Sequence, residues 1–464
     1  MNILLINPNG IVMNTRESLP PGLGYIAAVI EKAGHAVHVL DLTVDEKSTT
    51  EIIDAISSAD LCGITASTPT IKRAWQIAEL CRKRSVPVVL GGPHVSALPE
   101  EAAHYCDVVV RGEGERTIVE LLANFDKVRT RDLSHIAGLS YLKDGVVVHT
   151  PDRERIKDLN EVPYPAWHLF PPLTMYSTQQ PLLDKNVLSA GMITSRGCPY
   201  QCVFCYKGIF GTSCRMRSAD NVLGEWRMLV KDYRVKQIGI VDDSFTSSPR
   251  RVIEICKKIV DEKLVVEWVM PSGIRVKPIS EEMLMWMKRA GCTRVGFGVE
   301  SGSQRMLDAI QKNITLDDIR AAFRLAKKVG LETVAFFMIG NFGETEETMQ
   351  ATIDFAKELN PSFAQFLITV PYPGTKLYDM IRSDGRLLID DWNLYGTFER
   401  AAYFETDTMP KELVERMLRK AYFSFYVRPL YWMQPSIMKR MITKIPHYAS
   451  LFVRYFLRSG SKKK

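Results

Sequence analysis

The amino-acid sequence predicts an α/β protein built from a doubly wound parallel sheet, a partial (β/α)6 barrel and a C-terminal helical segment. Short runs of Val, Ile and Leu, in which no polar residues alternate, are separated by segments of helical periodicity. Such runs are typical of strands that helices cover on both faces. The alternation occurs twice, with a proline-rich stretch between the two series. At 464 residues the chain also exceeds what one hydrophobic core usually organises, so more than one domain is expected.

The first predicted domain spans residues 1–135. Its strands are predicted at residues 3–6, 37–40, 61–64, 86–90 and 107–110. Its helices are predicted at residues 23–33, 51–57, 71–83 and 115–124. This alternation indicates a Rossmann-like sheet, in which ligands bind at the carboxyl ends of the strands.

A linker is predicted at residues 136–187, beginning with a hairpin at residues 139–149. Proline, which cannot occupy the interior of regular elements, recurs through it. The prolines are Pro163, Pro165, Pro171, Pro172 and Pro181. The loosened pattern separates the two alternating series.

The second predicted domain, residues 188–385, is a partial barrel of the TIM type. Its strands are predicted at residues 190–194, 237–241, 265–270, 294–299, 333–339 and 364–369. Its helices are predicted at residues 222–232, 251–262, 281–290, 316–329 and 345–358. Barrels of this kind carry their functional residues at the carboxyl ends of the strands.

The remaining segment, residues 386–464, is predicted to be helical, basic and aromatic. From residue 421 onward it has nine Lys or Arg, no Asp or Glu and ten aromatic residues. The net charge of the chain is +7, so the residues before 421 carry −2, and no nucleic-acid partner is expected. Two interpretations of residues 421–464 remain open: an amphipathic helix on an anionic membrane surface, or a helix packed on the barrel.

The nine cysteines, an odd number with one tight cluster, do not suggest a disulfide framework. The sequence shows no signal-peptide pattern at its start and no apolar run long enough to span a membrane. These features predict a cytoplasmic protein whose thiols stay reduced, with peripheral contact at the inner face of the membrane as an extension of the tail hypothesis.

The cluster Cys198, Cys202 and Cys205 is the most informative motif. Three thiolates, separated by three and then two residues, can hold three irons of a [4Fe–4S] cube and leave the fourth iron open. A closed zinc site would need a fourth ligand, for which Cys214 is the single nearby cysteine. The spacing therefore favours an iron-sulfur cluster as the catalytic metal site.

With Phe204 before the third cysteine and the position after a first barrel strand, this motif resembles the radical S-adenosylmethionine (SAM) superfamily. The resemblance implies that SAM chelates the open iron and that a reduced cluster cleaves it to a 5′-deoxyadenosyl radical. It also implies an electron donor such as flavodoxin or ferredoxin. The cofactor carries the hard chemistry, and the protein orients it and excludes water.

The resemblance extends to the ends of the later strands and implies a set of SAM contacts. An acidic pair, Asp242 and Asp243, would face the SAM amino group. Glu300 and Ser301, at the end of a strand, would contact the ribose or the methionine. Gly340 would contact the adenine, and Arg275 would contact the SAM carboxylate. The acidic pair could instead cap the next helix, and Arg275 could form a surface salt bridge.

The first domain resembles the cobalamin-binding domain that precedes many radical SAM barrels. The similarity lies in residues 20–28, Gly34-His35, Asp41, residues 91–94 and residues 111–115. It implies cobalamin contacts from Gly22, Gly24, Gly91, Gly92, His94, Gly112 and Glu113. A dinucleotide fingerprint at residues 22–27 is a weaker alternative, because it does not directly follow the first strand.

Related cobalamin domains supply a lower-axial histidine from an Asp-x-His motif. None of the eight histidines here has Asp two residues before it. Cobalamin is therefore expected to lack a histidine ligand. His94 is the alternative ligand, weighed against a role in hydrogen bonding within its loop.

The resemblance implies a cobalamin-dependent radical SAM enzyme that methylates an unactivated carbon of a small molecule. The tail suggests that this molecule is lipophilic. Ring formation, ring contraction or another rearrangement without methyl transfer is the first alternative. A non-catalytic cobalamin or redox sensor and a methylthiotransferase with a second cluster are more remote.

Overall fold

The computed structural model describes residues 1–10, 19–130, 132–176, 187–396 and 401–433. Its strands are β1 Asn2–Asn7, β2 Ala36–Asp41, β3 Leu61–Thr65, β4 Val88–Gly91, β5 Val108–Val110, β6 Leu139–Lys143, β7 Val146–His149, β8 Ser189–Met192, β9 Ser195–Arg196, β10 Arg215–Met216, β11 Gln237–Ile240, β12 Glu267–Val269, β13 Arg294–Glu300, β14 Glu332–Ile339, β15 Phe363–Ile368, β16 Arg386–Leu387 and β17 Phe404–Glu405.

Its helices are α1 Pro21–Lys32, α2 Thr49–Ser57, α3 Ile71–Lys83, α4 Pro93–Ala97, α5 Pro99–Ala103, α6 Glu115–Ala123, α7 Asp126–Thr130, α8 Ala219–Lys231, α9 Pro249–Asp261, α10 Glu281–Arg289, α11 Gln304–Ala309, α12 Leu316–Val329, α13 Glu346–Leu359, α14 Lys376–Asp384, α15 Lys411–Tyr426 and α16 Pro429–Trp432. No helix in these described ranges is long and apolar enough to cross a membrane.

The N-terminal sheet has the order β2-β1-β3-β4-β5-β6-β7, and its first five strands are parallel. The predicted doubly wound sheet is confirmed. The hairpin of β6 and β7, however, is not part of a separate linker, because β6 pairs antiparallel with β5 and extends the sheet. Burial of Leu139 and Tyr141 in the core explains why the hairpin stays with this domain.

The barrel consists of two three-stranded parallel sheets, β8-β11-β12 and β13-β14-β15. Bridges from Trp268 to Cys292 and from Ile274 to Phe297 join β12 and its following loop to the β13 side. All six predicted strands and the five predicted helices between them are present. Because the strands are parallel, their carboxyl ends lie on one face of the molecule.

The polypeptide between the two domains wraps around α1. A Cβ atom added at Gly24 would lie 2.7 Å from Cβ of Pro165, and the Ala166 amide donates to the Gly24 carbonyl over 3.0 Å. Gly24 is therefore needed for the approach of the linker. Its contact with cobalamin stays a prediction.

The described part of the basic and aromatic tail packs against the barrel. The α15 side chains Tyr422 and Tyr426 donate to the carbonyls of Phe366 and Ala364 on β15, over 2.9 and 2.7 Å, and also accept from the amides of these residues. The two hydroxyl groups thus form hydrogen bonds with the free backbone groups of β15, the outer strand of its sheet. Packing is confirmed for these residues. The aromatic and basic residues beyond 433 lie outside the described ranges.

Candidate active site

The three cysteines lie on the loop between β9 and β10. The short antiparallel pairing of Arg196 with Arg215 holds the two ends of this loop together. Gly197 has φ +85°, and a Cβ atom there would overlap the carbonyl of Ser213, so only glycine allows the turn into Cys198. The loop leaves Cys202 buried and Cys198 and Cys205 partly exposed.

The thiols of Cys202 and Cys205 shift the pKa of each other in opposite directions, so that the pKa of Cys205 is raised. The pKa of Cys202 is lowered to about 6, first by the hydrogen bond from Cys205 and then by the positive charges of Lys312 and Arg275. Burial opposes this shift. A lowered pKa favours the thiolate, which is the form that binds metal.

These residues fit an iron-sulfur cluster better than a single metal ion. In the described residues, no three His, Cys, Asp or Glu side chains are gathered closely enough to hold one metal ion. A four-iron cube places each thiolate on a different iron, so its ligands need not converge on one point. Three cysteines on one loop, one with a lowered pKa, meet that requirement.

Arg275, predicted to face SAM, lies directly beside the triad. Its Nη1 is 4.0 Å from Sγ of Cys202, and its guanidinium carbon is 3.6 Å from the centre of the Tyr200 ring. Nη2 donates to the carbonyls of Lys312 and Asn313. The arginine is thus fixed in the site and forms no surface salt bridge with the described residues, while its role toward SAM stays a prediction.

Glu300 follows a bulge in β13 and has φ +66°, an uncommon conformation for a residue with a side chain. Its carboxylate pairs with Lys312, whose Nζ lies 2.6 Å from Oε1. Lys312 was not predicted as a site residue, because a lysine between two helices normally suggests a solvated surface. No sequence pattern of this chain identifies it.

The acidic pair after β11 divides into two roles. Asp242 is buried and accepts from the Thr194 amide and from the hydroxyls of Thr194 and Ser195 over 2.5–2.6 Å. Burial raises the pKa of Asp242, and these hydrogen bonds oppose the shift. Asp243 is exposed and accepts from the amide of Gly197 over 3.0 Å. Asp242 therefore fixes the loop, while a contact of Asp243 with SAM stays a prediction.

Ser301 points into the fold and not toward an open site. It is fully buried, its hydroxyl lies 3.1 Å from Oγ1 of Thr352, and it accepts from the amide of Ser303. The predicted contact of Ser301 with the ribose or methionine is thus replaced by a link between the end of β13 and α13.

Gly340 ends β14 with φ +83°, as expected for a turn that requires glycine. The amides of Gly340 and Asn341 donate to Oε2 of Glu344 over 2.7 and 2.8 Å. Burial raises the pKa of Glu344 to about 7, and the two amides oppose the shift. Glu344 is a support of this turn that the sequence reasoning did not single out.

The glycines of the N-terminal sheet lie at or near the carboxyl ends of its strands. Gly91 and Gly22 have open space where a Cβ atom would stand, so a large ligand can approach their backbone. Gly92 has φ +108°, and a Cβ atom there would lie 2.7 Å from the Ala66 carbonyl. The amide of Gly112 donates to Oγ of Ser96 over 3.1 Å. This glycine-lined edge fits a flat ligand such as a corrin.

Glu113, predicted to contact cobalamin, joins the two domains instead. Its carboxylate accepts from Arg196 over 2.9 Å and from Arg215 over 2.8 Å, and Glu115 pairs with Arg196 over 2.6 Å. All four side chains are buried or nearly so. This interdomain ion cluster, Glu113, Glu115, Arg196 and Arg215, ties the cobalamin-side loop to the two strands that carry the triad loop.

His94 is also engaged by protein groups. Its Nδ1 lies 3.1 Å from Oγ1 of Thr68, its Nε2 lies 3.6 Å from Oε2 of Glu101, and its ring packs edge-on to Trp392. The side chain is 1% exposed. These contacts support the loop-bonding role, while a contact of His94 with cobalamin stays a prediction.

The two domains meet at the triad loop. A Cβ atom at Gly112 would lie 3.8 Å from the Gly208 carbonyl on that loop. The Tyr206 ring fills the seam, because a Cβ atom at Gly374 would lie 2.6 Å from the ring and 2.9 Å from Cβ of Ala97. A glycine-lined sheet edge beside a loop with three cysteines indicates a class of enzyme that binds a large flat ligand next to a metal cluster.

Comparison with known proteins specifies this class. The family model of the radical SAM superfamily matches residues 192–356, and that of the B12 binding domain matches residues 15–122. The chain is 37% identical to an uncharacterized methyltransferase of Pyrococcus horikoshii over 92% of this chain and 93% of the relative. It is 27% identical to the anaerobic magnesium-protoporphyrin IX monomethyl ester cyclase of Rubrivivax gelatinosus over 100% of this chain and 84% of the relative.

A solved structure shows the same fold. The radical S-adenosylmethionine methyltransferase TsrM of Kitasatospora setae, with cobalamin and a [4Fe–4S] cluster bound, matches with a TM-score of 0.68 at 21% identity, over 84% of this chain and 79% of TsrM. The chain therefore belongs to the radical SAM superfamily, among the members with a B12 binding domain. It is a radical SAM enzyme whose cofactors are a [4Fe–4S] cluster, SAM and cobalamin.

Proposed function

We propose that this enzyme transfers a methyl group to an unactivated carbon of a small molecule. The observation that carries the proposal is the close approach of the triad loop to the glycine-lined edge of the N-terminal sheet, where a Cβ atom at Gly112 would lie 3.8 Å from the Gly208 carbonyl. Two cofactors held on either side of this contact can act on one substrate. The relative of Pyrococcus horikoshii, named a methyltransferase, supports this choice because it matches nearly the whole chain.

The residues divide the work between the two sides. When bound, the cluster with SAM supplies a 5′-deoxyadenosyl radical, and cobalamin supplies a methyl carrier. Cys198, Cys202 and Cys205 would hold the cluster, Asp243 would orient the SAM ammonium, and Arg275 would orient the SAM carboxylate. Charge-assisted hydrogen bonds of this kind fix position as well as adding affinity.

The cobalamin side is held differently. Backbone at Gly91, Gly92 and Gly112 would approach the corrin, and no histidine would bind its lower face. The Tyr206 ring, packed between the domains, would exclude water from the radical.

The test is anaerobic reconstitution with cobalamin and SAM that carries a deuterated methyl group, followed by mass spectrometry of the small molecules. The proposal predicts 5′-deoxyadenosine, S-adenosylhomocysteine and deuterium on cobalamin. The matched control is Cys214→Ala. Cys214 follows the triad closely in the sequence, but its thiol forms a hydrogen bond with the Ser247 hydroxyl. Absence of both S-adenosylhomocysteine and labelled cobalamin would exclude methyl transfer.

Ring formation without methyl transfer is the second candidate. It is favoured by the relative named as a cyclase, which aligns with 100% of this chain. Formation of 5′-deoxyadenosine without transfer of the label would support this candidate. The sensor hypothesis does not agree with membership in an enzyme superfamily.

The electron that starts the reaction would come from a small redox protein such as flavodoxin or ferredoxin. The partial exposure of Cys198 and Cys205 supports this part of the proposal, because an electron donor has to approach the triad from the surface. Reduction of the cluster by dithionite-reduced flavodoxin, followed by electron paramagnetic resonance (EPR), tests this partner. A cluster that flavodoxin leaves oxidised, while a chemical reductant reduces it, would argue for another donor.

Peripheral membrane contact is the last part of the proposal and would fit a lipophilic substrate. At the end of α15 and in α16, Phe423, Val427, Trp432 and Met433 are exposed. They precede a segment with eight of the nine basic residues counted from residue 421. Full-length protein should sediment with anionic vesicles at low salt and be released by salt, since each basic residue near the surface contributes about 1 kcal/mol. Equal sedimentation after removal of residues 434–464 would contradict this role.

A further inference from the structure

Lys312 is a buried cation at the triad. It lies in the loop after α11, it is 7% exposed, and its Nζ is 5.8 Å from the centre of the Phe204 ring, between Cys202 and Cys205 in the sequence. Burying an ammonium group costs free energy unless it is paired. Glu300 is the partner, at 2.6 Å.

The backbone of β13 makes room for this ion pair. A Cβ atom at Gly298 would lie 2.6 Å from Oε1 of Glu300 and 3.0 Å from Nζ of Lys312. The bulge between Gly298 and Glu300 turns the carboxylate toward the lysine. A side chain at Gly298 would displace one of the two charges, so the pair is built into the strand.

The pair stands within a larger set of charges. Arg275 donates to the carbonyl of Lys312 and lies 4.0 Å from Sγ of Cys202. Two cations, Lys312 and Arg275, and one anion, Glu300, therefore act on Cys202. Reduction adds negative charge to a cluster that its thiolates already make anionic, so nearby positive charge favours the reduced form.

We propose that the Lys312 ammonium raises the reduction potential of the iron-sulfur cluster, and that Glu300 limits how much of this charge the cluster experiences. The step is transfer of one electron from an external donor to the cluster, and no bond forms or breaks. The proposal rests on a cluster at the triad, which the proposed function also requires, but it does not rest on methyl transfer. Lys312 acts through the cluster as a tuning residue.

The test is a redox titration of the cobalamin-loaded holoenzyme without SAM or substrate, followed by the EPR signal of the reduced cluster. Lys312→Met should lower the ratio of reduced to oxidised cluster about tenfold at a fixed potential, which is about 59 mV for one electron. Glu300→Gln should raise this ratio, because it removes an anion. Lys312→Arg should keep the ratio within about twofold of the wild type, because it keeps the cation. Lys327→Met, a lysine on α12 whose Nζ donates to the Leu359 carbonyl, is the matched control and should leave the potential unchanged.

The reduction potential should fall in Lys312→Met and rise in Glu300→Gln. These opposite shifts distinguish tuning from structural damage, because a loosened site would shift the potentials of both variants in the same direction. Equal potentials in the wild type and Lys312→Met, or a Glu300→Gln shift to lower potential, would overturn the proposal. If Lys312→Met does not retain iron, Glu300→Gln is compared with the wild type instead. A raised reduction potential in Glu300→Gln supports tuning, and an unchanged potential refutes it. Loss of methyl transfer without a change in potential would affect the proposed function alone.

Discussion

The triad side and the cobalamin side of this enzyme use their predicted residues in different ways. On the triad side, the cysteines, Arg275 and Glu300 lie together at the mouth of the barrel. On the cobalamin side, Glu113 and His94 are occupied by other protein groups. A metal cluster needs particular side chains, whereas a large flat ligand needs open backbone. Side-chain motifs therefore predict the first kind of site more directly than the second.

The largest effect that follows from this comparison is loss of the cluster. Cys198→Ala, Cys202→Ala and Cys205→Ala should each abolish SAM cleavage, because the loop supplies the protein ligands of the cluster. Iron content and 5′-deoxyadenosine formation measure this result. Cys214→Ala, Cys62→Ala and Cys256→Ala should retain both, since these cysteines pack or bond elsewhere. Normal SAM cleavage in a triad variant would contradict the assignment.

A second prediction concerns the interdomain ion cluster. Arg196→Met should lower the free energy of unfolding by about 3–5 kcal/mol, because it leaves Glu113 and Glu115 buried without this partner. The thermal unfolding midpoint and cobalamin affinity should fall together, since the link connects the two sides. Arg227→Met, which breaks an exposed pair with Glu262, is the control and should change stability by less than about 1 kcal/mol. Unchanged cobalamin binding in Arg196→Met would show that the two sides are independent.

A third prediction is a pH dependence of stability that comes from Glu344, at the turn after β14. The pKa of buried Glu344 is raised to about 7, so the folded state holds this proton more tightly than the unfolded state. Stability from this group is present at acidic pH and is lost as the pH rises from the ordinary carboxyl range through about 7, by roughly 3 kcal/mol. Glu344→Gln should therefore gain stability relative to the wild type between pH 5.5 and pH 8. A constant difference in unfolding midpoint across this range would contradict the raised pKa.

The smallest expected effect is on the cobalt environment. His94→Gln should leave the EPR spectrum of cob(II)alamin unchanged, because the ring is buried and its Nδ1 lies 3.1 Å from Oγ1 of Thr68. Loss of these contacts should weaken folding of the loop by about 1–3 kcal/mol. Nitrogen superhyperfine coupling that disappears in the variant would make His94 a ligand and would reverse this assignment.

The sequence predicted the N-terminal sheet and the barrel because their strands and helices have periodic apolar residues, as in α3 and α12, whose bounds it matched. It also predicted the triad, since the cysteine spacing is a local property. It did not predict Lys312, Glu344 or the role of Glu113, because their partners come from chain packing. Glu113 and Arg196, for example, are distant in sequence and meet only when the two domains pack together. The short helices α4 and α5 were missed because five-residue elements carry little periodicity.

The central claim is that cluster and cobalamin lie on either side of one contact, at Gly112 and Gly208. The most direct measurement is the spin relaxation of cob(II)alamin in the holoenzyme, recorded with the cluster oxidised and then reduced. The structure predicts faster relaxation when the cluster becomes paramagnetic, and no such change in Cys202→Ala protein loaded with cobalamin alone. Identical relaxation of cob(II)alamin with oxidised and reduced cluster would contradict a shared site.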